Sequence, residues 1–117
     1  MCWRFSHVDH EGPWSFRDVD TDTFCWILER LANFETMTVN EVFRNGEEPG
    51  KSYDVEALPT AEARERLEAM RLSDQTKIHR LRFQGKQRLY GFLHENVFHV
   101  IWWDPEHKVW PSKLRNT

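Results

Sequence analysis

The stretch Lys77-Ile78-His79-Arg80-Leu81-Arg82-Phe83-Gln84-Gly85-Lys86-Gln87-Arg88-Leu89-Tyr90-Gly91-Phe92-Leu93-His94-Glu95-Asn96-Val97-Phe98-His99-Val100-Ile101-Trp102-Trp103 decides the fold of this 117-residue chain. Lys77–Phe83, Gln87–Leu93 and Val97–Trp103 follow the two-residue repeat of a strand. Gln84-Gly85-Lys86 and His94-Glu95-Asn96 between them are too short for a crossover, so the three runs form an antiparallel meander. Three-residue loops at both turns pair Arg82 with Arg88, Arg80 with Tyr90, and Arg88 with Trp102. One face then holds Leu81, Phe83, Leu89, Leu93 and Ile101, and the other gathers Arg80, Arg82, Arg88, Tyr90 and Trp102 near Gly85. A loop one residue shorter would turn Arg88 to the core face. In this register His99 sits opposite Gly91 as a packed, hydrogen-bonded histidine.

Upstream the period is helical. Trp3–Val8 alternates and predicts a short first strand, ended by His10-Glu11-Gly12-Pro13. Phe24, Ile27, Leu28 and Leu31 recur on one helical face, predicting a helix over Asp22–Phe34 capped by Asp22 or Thr21. Thr38 followed three residues later by Glu41 is a capping box and starts a short helix over Val39–Arg44. Asn45–Asp54, with two Gly and one Pro among charges, predicts an exposed, mobile loop. Pro59 opens a third helix carrying Ala61, Ala63, Leu67 and Met70 and ending near Leu72, with Glu62 and Arg66 as a supporting pair on a solvated face. The expected architecture is a single α+β domain over residues 1–117, with helices packed on one face of an antiparallel sheet of three or four strands.

Composition narrows the class. Aromatic residues make up 14% of the chain, which excludes the aromatic-poor composition of disorder. No apolar run reaches the ~18–20 residues of a membrane span, and Met1–His10 lacks the order of a signal peptide, so a soluble cytoplasmic protein without a membrane partner is expected. Cys2 and Cys25 show no CxxC spacing, and Cys25 reads as a small buried hydrophobe. The net charge of −3 is unevenly spread. Residues 1–76 are strongly acidic in balance, whereas residues 77–117 are basic, through Lys77, Arg80, Arg82, Lys86, Arg88, Lys108, Lys113 and Arg115. The C-terminal third is therefore a candidate polyanion surface.

The basic-aromatic face and the tail Asp104-Pro105-Glu106-His107-Lys108-Val109-Trp110 carry the chemistry. Arginine presents planar donors to phosphate oxygens, Tyr90, Trp102 and Trp110 offer rings to bases, and a histidine moves protons near neutral pH. Such parts suit RNA cleavage by attack of a 2′-hydroxyl on the adjacent phosphate. His107 or Glu106 is the candidate base, Arg88 and Lys86 the stabilisers of the pentavalent phosphate, and His107 or Lys108 the acid. Arg80 and Arg82 are candidate RNA contacts. No cofactor or metal is called for, although His7-Val8-Asp9-His10-Glu11 with His79, His94 or His99 leaves a metal site conceivable.

The order of a short strand, helices and a meander ending in a basic tail resembles the RelE/ParE superfamily of bacterial toxins. Lys77–Phe92, with a turn Gly followed by Arg-Leu-aromatic, is similar to that superfamily's second and third strands, and Val97–Trp103 to its fourth. His107-Lys108-Val109-Trp110 stands where those toxins carry a basic residue or His followed by an aromatic, Trp110 replacing the usual Tyr. The resemblance implies an RNA-binding, ribosome-associated endoribonuclease (mRNA interferase) held in check by an antitoxin protein. It also implies that Arg88 contacts the scissile phosphate and that His107 and Lys108 serve acid/base roles. The alternatives are a non-catalytic protein or nucleic-acid interaction module of the same fold and, third, a small metal-binding protein.

Overall fold

The computed structural model describes residues 1–46 and 48–111. In chain order its elements are strand β1 (Cys2–Arg4), helices α1 (Thr21–Glu35) and α2 (Val39–Phe43), strand β2 (Gly50–Asp54), helix α3 (Ala61–Ala69), and strands β3 (Lys77–Arg82), β4 (Arg88–His94) and β5 (Val97–Asp104). One five-stranded sheet runs in the order β1-β5-β4-β3-β2. Within it β1 lies parallel to β5, and every other pair is antiparallel.

The meander over residues 77–103 is present and contiguous, but the sheet around it is larger than expected and mixed. Gly50–Asp54, expected as a mobile loop, is a strand paired along β3, where Lys51 opposes Arg80 and Tyr53 opposes Ile78. Its turn-like composition hides the alternation that pairing uses. Cys2–Arg4 alone forms the first strand, alongside Val97–His99.

Local signals set the helix starts. Asp20, rather than Thr21 or Asp22, caps α1, its carboxylate accepting from the Thr23 amide at 2.7 Å. Thr38 and Glu41 form the reciprocal capping box of α2, at 3.1 and 3.0 Å. Ile27, Leu31 and Phe34 of α1 and Val42 of α2 pack on Leu81, Leu89, Phe98, Val100 and Trp103. Cys25 is exposed, since the α1 face that meets the sheet runs through Ile27, Leu31 and Phe34.

The expectation of helices on one face is corrected, because α3 covers the other. Ala63 and Leu67 pack there with Leu58, Ile78, Tyr90, Trp102 and Val109. Arg66 does not act as the partner expected for Glu62. Its guanidinium reaches Asp9, in the segment after β1, through Nε at 2.9 Å and Nη2 at 2.8 Å.

Register differs between the two hairpins. The β3–β4 pairing is the one expected, with Arg82 opposite Arg88, Arg80 opposite Tyr90 and Leu81 opposite Leu89. The β4–β5 turn is one residue shorter than expected, because His94 itself pairs with Val97. A bulge between Tyr90 and Gly91 then restores the faces. Arg88 consequently opposes Asp104 rather than Trp102, and His99 opposes Phe92 rather than Gly91. Ile101 joins the α3-side core. Glycine fits position 91 because a Cβ there would strike the His99 carbonyl oxygen and the Phe98 ring.

Asp9 joins α3 to the sheet. Besides both Arg66 bonds, its carboxylate accepts from Trp102 Nε1 at 3.0 Å and from the Glu11 and Gly12 amides at 3.1 Å. Burial by itself raises the Asp9 pKa, but the bonds from Arg66, Trp102 and the two amides outweigh it and lower the value from 3.8 to about 2. A depressed carboxylate pKa stabilises the fold above the unfolded value and loses that contribution as pH falls through the folded one. The clamp is therefore expected to hold at neutral pH and to fail as acid titration approaches pH 2. Asp9→Asn, which strips the Arg66 guanidinium of its counter-ion, is expected to cost ~3 kcal/mol in denaturant unfolding at pH 7 and to flatten the acid limb of the stability profile. A loss below ~1 kcal/mol, within the range of exposed pairs, would contradict this role.

Candidate functional site

The alternation of β4 sends Leu89 into the α1-side core and Arg88 and Tyr90 to the α3 side. Beside them β3 contributes Arg82 and Arg80, and beyond Arg80 lies Lys51 of β2. Three strands thus bring four cations to one side of the sheet.

The chain after β5 closes over this face. Pro105 cannot continue the ladder, and the Asp104 carboxylate accepts the amides of Lys108 at 2.9 Å and Val109 at 2.8 Å. Thr60, at the start of α3, donates its hydroxyl to the Val109 carbonyl at 2.6 Å. Val109 is buried, and Trp110 stacks on Tyr53 with ring centroids 4.0 Å apart. His107 sits in this turn with a left-handed φ of 58°, half-buried. Burial lowers its pKa, and the charges of Arg88, Arg80 and Arg82 lower it further against the opposing pull of Asp104. His107 therefore lies within electrostatic reach of the three arginines, and their charges and its burial disfavour its protonated form.

Arg88 is 6% exposed. Its Nη1 donates to the carbonyls of Gly85 at 2.6 Å and Gln87 at 3.0 Å, which pins the guanidinium to the β3–β4 turn. Among the described residues no acceptor meets its Nε. Burial first, and then the charges of Arg80 and Arg82, lower its pKa. Tyr90 is fully buried, its hydroxyl has no partner among the described residues, and burial raises the phenol pKa far above its ordinary value.

The remaining candidates are dispersed. Tyr90 and Trp102 are 0% exposed, so neither ring is available to stack on a base, because α3 and the Asp104–Trp110 segment cover them. Trp110 keeps only part of its surface, having spent one face on Tyr53. Arg82 is exposed and paired with Glu48. Lys86, Glu106 and Lys108 are exposed around the cluster. Lys113 and Arg115 lie outside the described residues.

Sequence reasoning missed Lys51, whose strand read as a loop, and the anchoring pair Asp104 and Thr60. For Asp104 a signal was present, since Asp-Pro initiates turns in which the carboxylate bonds to following amides. At the far end of β4 from Arg88, His7 and His99 approach with ring centroids 5.4 Å apart and line a cavity of about 210 Å³ with His94. Among the described residues no group of three or more His, Cys, Asp or Glu is arranged to hold a metal ion. No helix among them is long and apolar enough to cross a membrane.

Comparison with protein-family models, with curated proteins and with solved structures found no match to this chain.

The electrostatics of the cluster are directly measurable. His107 is expected to titrate below 6.5 in an NMR pH series, and Arg88→Gln is expected to move it upward by removing a neighbouring cation. An unshifted His107 in the wild type, or no response to Arg88→Gln, would separate the two residues.

Proposed function

We propose that this chain is a RelE/ParE-like, toxin-type domain whose Arg80, Arg82, Arg88 and His107 engage the phosphate backbone of RNA. The observation that carries this reading is the alignment of three arginines on one face of adjacent strands, within electrostatic reach of a half-buried imidazole whose protonated form they disfavour. Guanidinium groups aligned on one face present planar donors that match phosphate oxygens.

The same arrangement supports cleavage. Neutral His107 accepts the proton of a 2′-hydroxyl as that oxygen attacks phosphorus. Arg88 and Arg82 stabilise the equatorial oxygens, with Lys86 at the rim. The P–O5′ bond breaks and Lys108 protonates the departing oxygen, leaving a 2′,3′-cyclic phosphate and a 5′-hydroxyl. Glu106, exposed and one residue before His107, is the alternative base. Base recognition by Tyr90 and Trp102 has no part in the reaction, since both are buried.

A second reading, a non-catalytic interaction module of the same fold, is favoured by an apolar cleft of about 360 Å³ between α1 and the segment after β1, whose rim holds the exposed Phe5, Phe24 and Leu28. An antitoxin-type partner protein is the occupant consistent with the toxin reading.

RNA affinity is expected to fall steeply with salt, with a slope shallower by ~1 in Arg82→Gln because one fewer counterion is released. Cleavage, assayed with and without ribosomes, is expected to drop ~100-fold or more in His107→Ala and Arg88→Ala. Salt-independent binding contradicts the phosphate reading. Salt-dependent binding without cleavage under either condition selects the interaction module.

A further inference from the structure

Three histidines meet at the end of β4 far from Arg88. β1 runs parallel to β5 with Arg4 beside His99, and the chain then turns tightly, the Val8 amide donating to the Phe5 carbonyl at 3.2 Å. The Asp9 amide donates to the Ile101 carbonyl at 3.0 Å, so the segment that carries His7 is tied to β5 on both sides. His7 is thereby held against His99, with ring centroids 5.4 Å apart. His94 reaches the same place from β4. It pairs with Val97, which lies two residues before His99 on β5, so His94 and His99 leave one face of the sheet. The three imidazoles line a cavity of about 210 Å³, and among the described residues no carboxylate or thiol lines it with them. His99 Nδ1 is buried and finds no hydrogen-bond partner among the described residues.

We propose that His7 and His99 are two ligands of a site for a late first-row divalent metal ion, with zinc as the reference case. An imidazole nitrogen binds Zn2+ at about 2.0–2.1 Å, which puts the ion roughly 3.2 Å from the ring centre. At the tetrahedral angle two such rings stand about 5 Å apart, close to the 5.4 Å found between His7 and His99. An ordinary ring contact also allows that separation, but it leaves the buried His99 Nδ1 unmet, whereas coordination supplies the partner. Burial first, and then the charges of His7, Arg4 and His94, lower the His99 pKa and so favour the neutral ring that a metal requires. Among the described residues no three ligands are preset. Water therefore completes the coordination, and His94, exposed at the end of β4, is the third protein ligand once its side chain turns inward. Imidazole donors select zinc, copper and nickel over magnesium and calcium, which take oxygen ligands. Bound there, the ion clips the segment after β1 to β5, and the site is independent of the RNA reading.

Zinc and magnesium chlorides titrated into the full, metal-free chain test this. Zn2+ is expected to shift the imidazole 15N and 1H resonances of His7 and His99 together while those of His10 and His107 stay in place. It is also expected to raise the melting temperature, because it binds the folded chain, and Mg2+ to do neither. His7 is exposed, so His7→Ala is expected to melt with the metal-free wild type and to weaken Zn2+ binding by at least the ~10–100-fold that loss of an outer-shell partner costs. His10→Ala, three residues further along the same segment, is expected to bind Zn2+ as the wild type does. Resonances of His7 and His99 that ignore Zn2+ overturn the proposal, and this reading needs no variant to fold. Zinc affinity that survives in His7→Ala overturns it as well, and so does an equal response to Mg2+.

Discussion

The Asp9 carboxylate draws five donors from its own loop, from Arg66 of α3 and from Trp102 of β5. Those partners lie 57 and 93 residues away along the chain, so one ionised group ties together distant segments of the α3 side. α3 has little else to hold it, since Ala63 and Leu67 are its only buried side chains and, apart from Ala61 and Ala69, the others are charged. Gly12 belongs to the same device, because a Cβ there would come within 2.6 Å of Asp9 Oδ2. With α3 fixed, the start of that helix offers Thr60 to the Lys108–Val109 backbone, and the C-terminal turn is drawn down onto Tyr90 and Arg88. The burial of Arg80 and Arg88 is thus a consequence of an ion pair at the opposite end of the helix.

Burial also gives the cluster its chemical character. Removing guanidinium groups from water while setting them beside one another disfavours their charge on both counts, the direction seen at Arg88. His107 feels the same field, which disfavours its protonated form. An arginine left at the surface, as Arg82 is, settles for Glu48 and exerts a weaker, solvent-screened influence. A depth gradient therefore runs from Lys86 and Arg82 at the rim to Arg88 and Tyr90 beneath the turn.

The β3–β4 hairpin was legible in sequence because a turn glycine and strict alternation leave one pairing of Arg82, Arg80 and Leu81 with their partners. The next hairpin was misread by one residue. His94 reads as loop by composition yet pairs with Val97, and the compensating bulge at Tyr90 and Gly91 depends on the close approach of His99 and Phe98, which no local pattern announces. The fate of Tyr90 and Trp102 was hidden for a related reason. An alternating strand carrying Arg, Tyr and Trp on its second face looks the same whether water or a helix covers that face. What decides is the contact of Arg66 with Asp9, between residues too distant for periodicity to relate. That the chain after β5 turns at the edge holding Arg88 was legible, since antiparallel return and a proline stop leave it there. Its half-burial follows from Thr60 and Asp104.

The burial of Arg88, with its Nε unmet by any described acceptor, makes that N–H the atom whose environment must change when an anion binds there. The direct measurement is the 1H–15N resonance of Arg88 Nε–H, recorded before and after addition of an RNA oligonucleotide. The account predicts a downfield proton shift and slowed solvent exchange on binding, as the N–H takes up a charge-assisted hydrogen bond. Full occupancy of the protein by the same RNA, with the Arg88 Nε–H resonance unmoved, would contradict it.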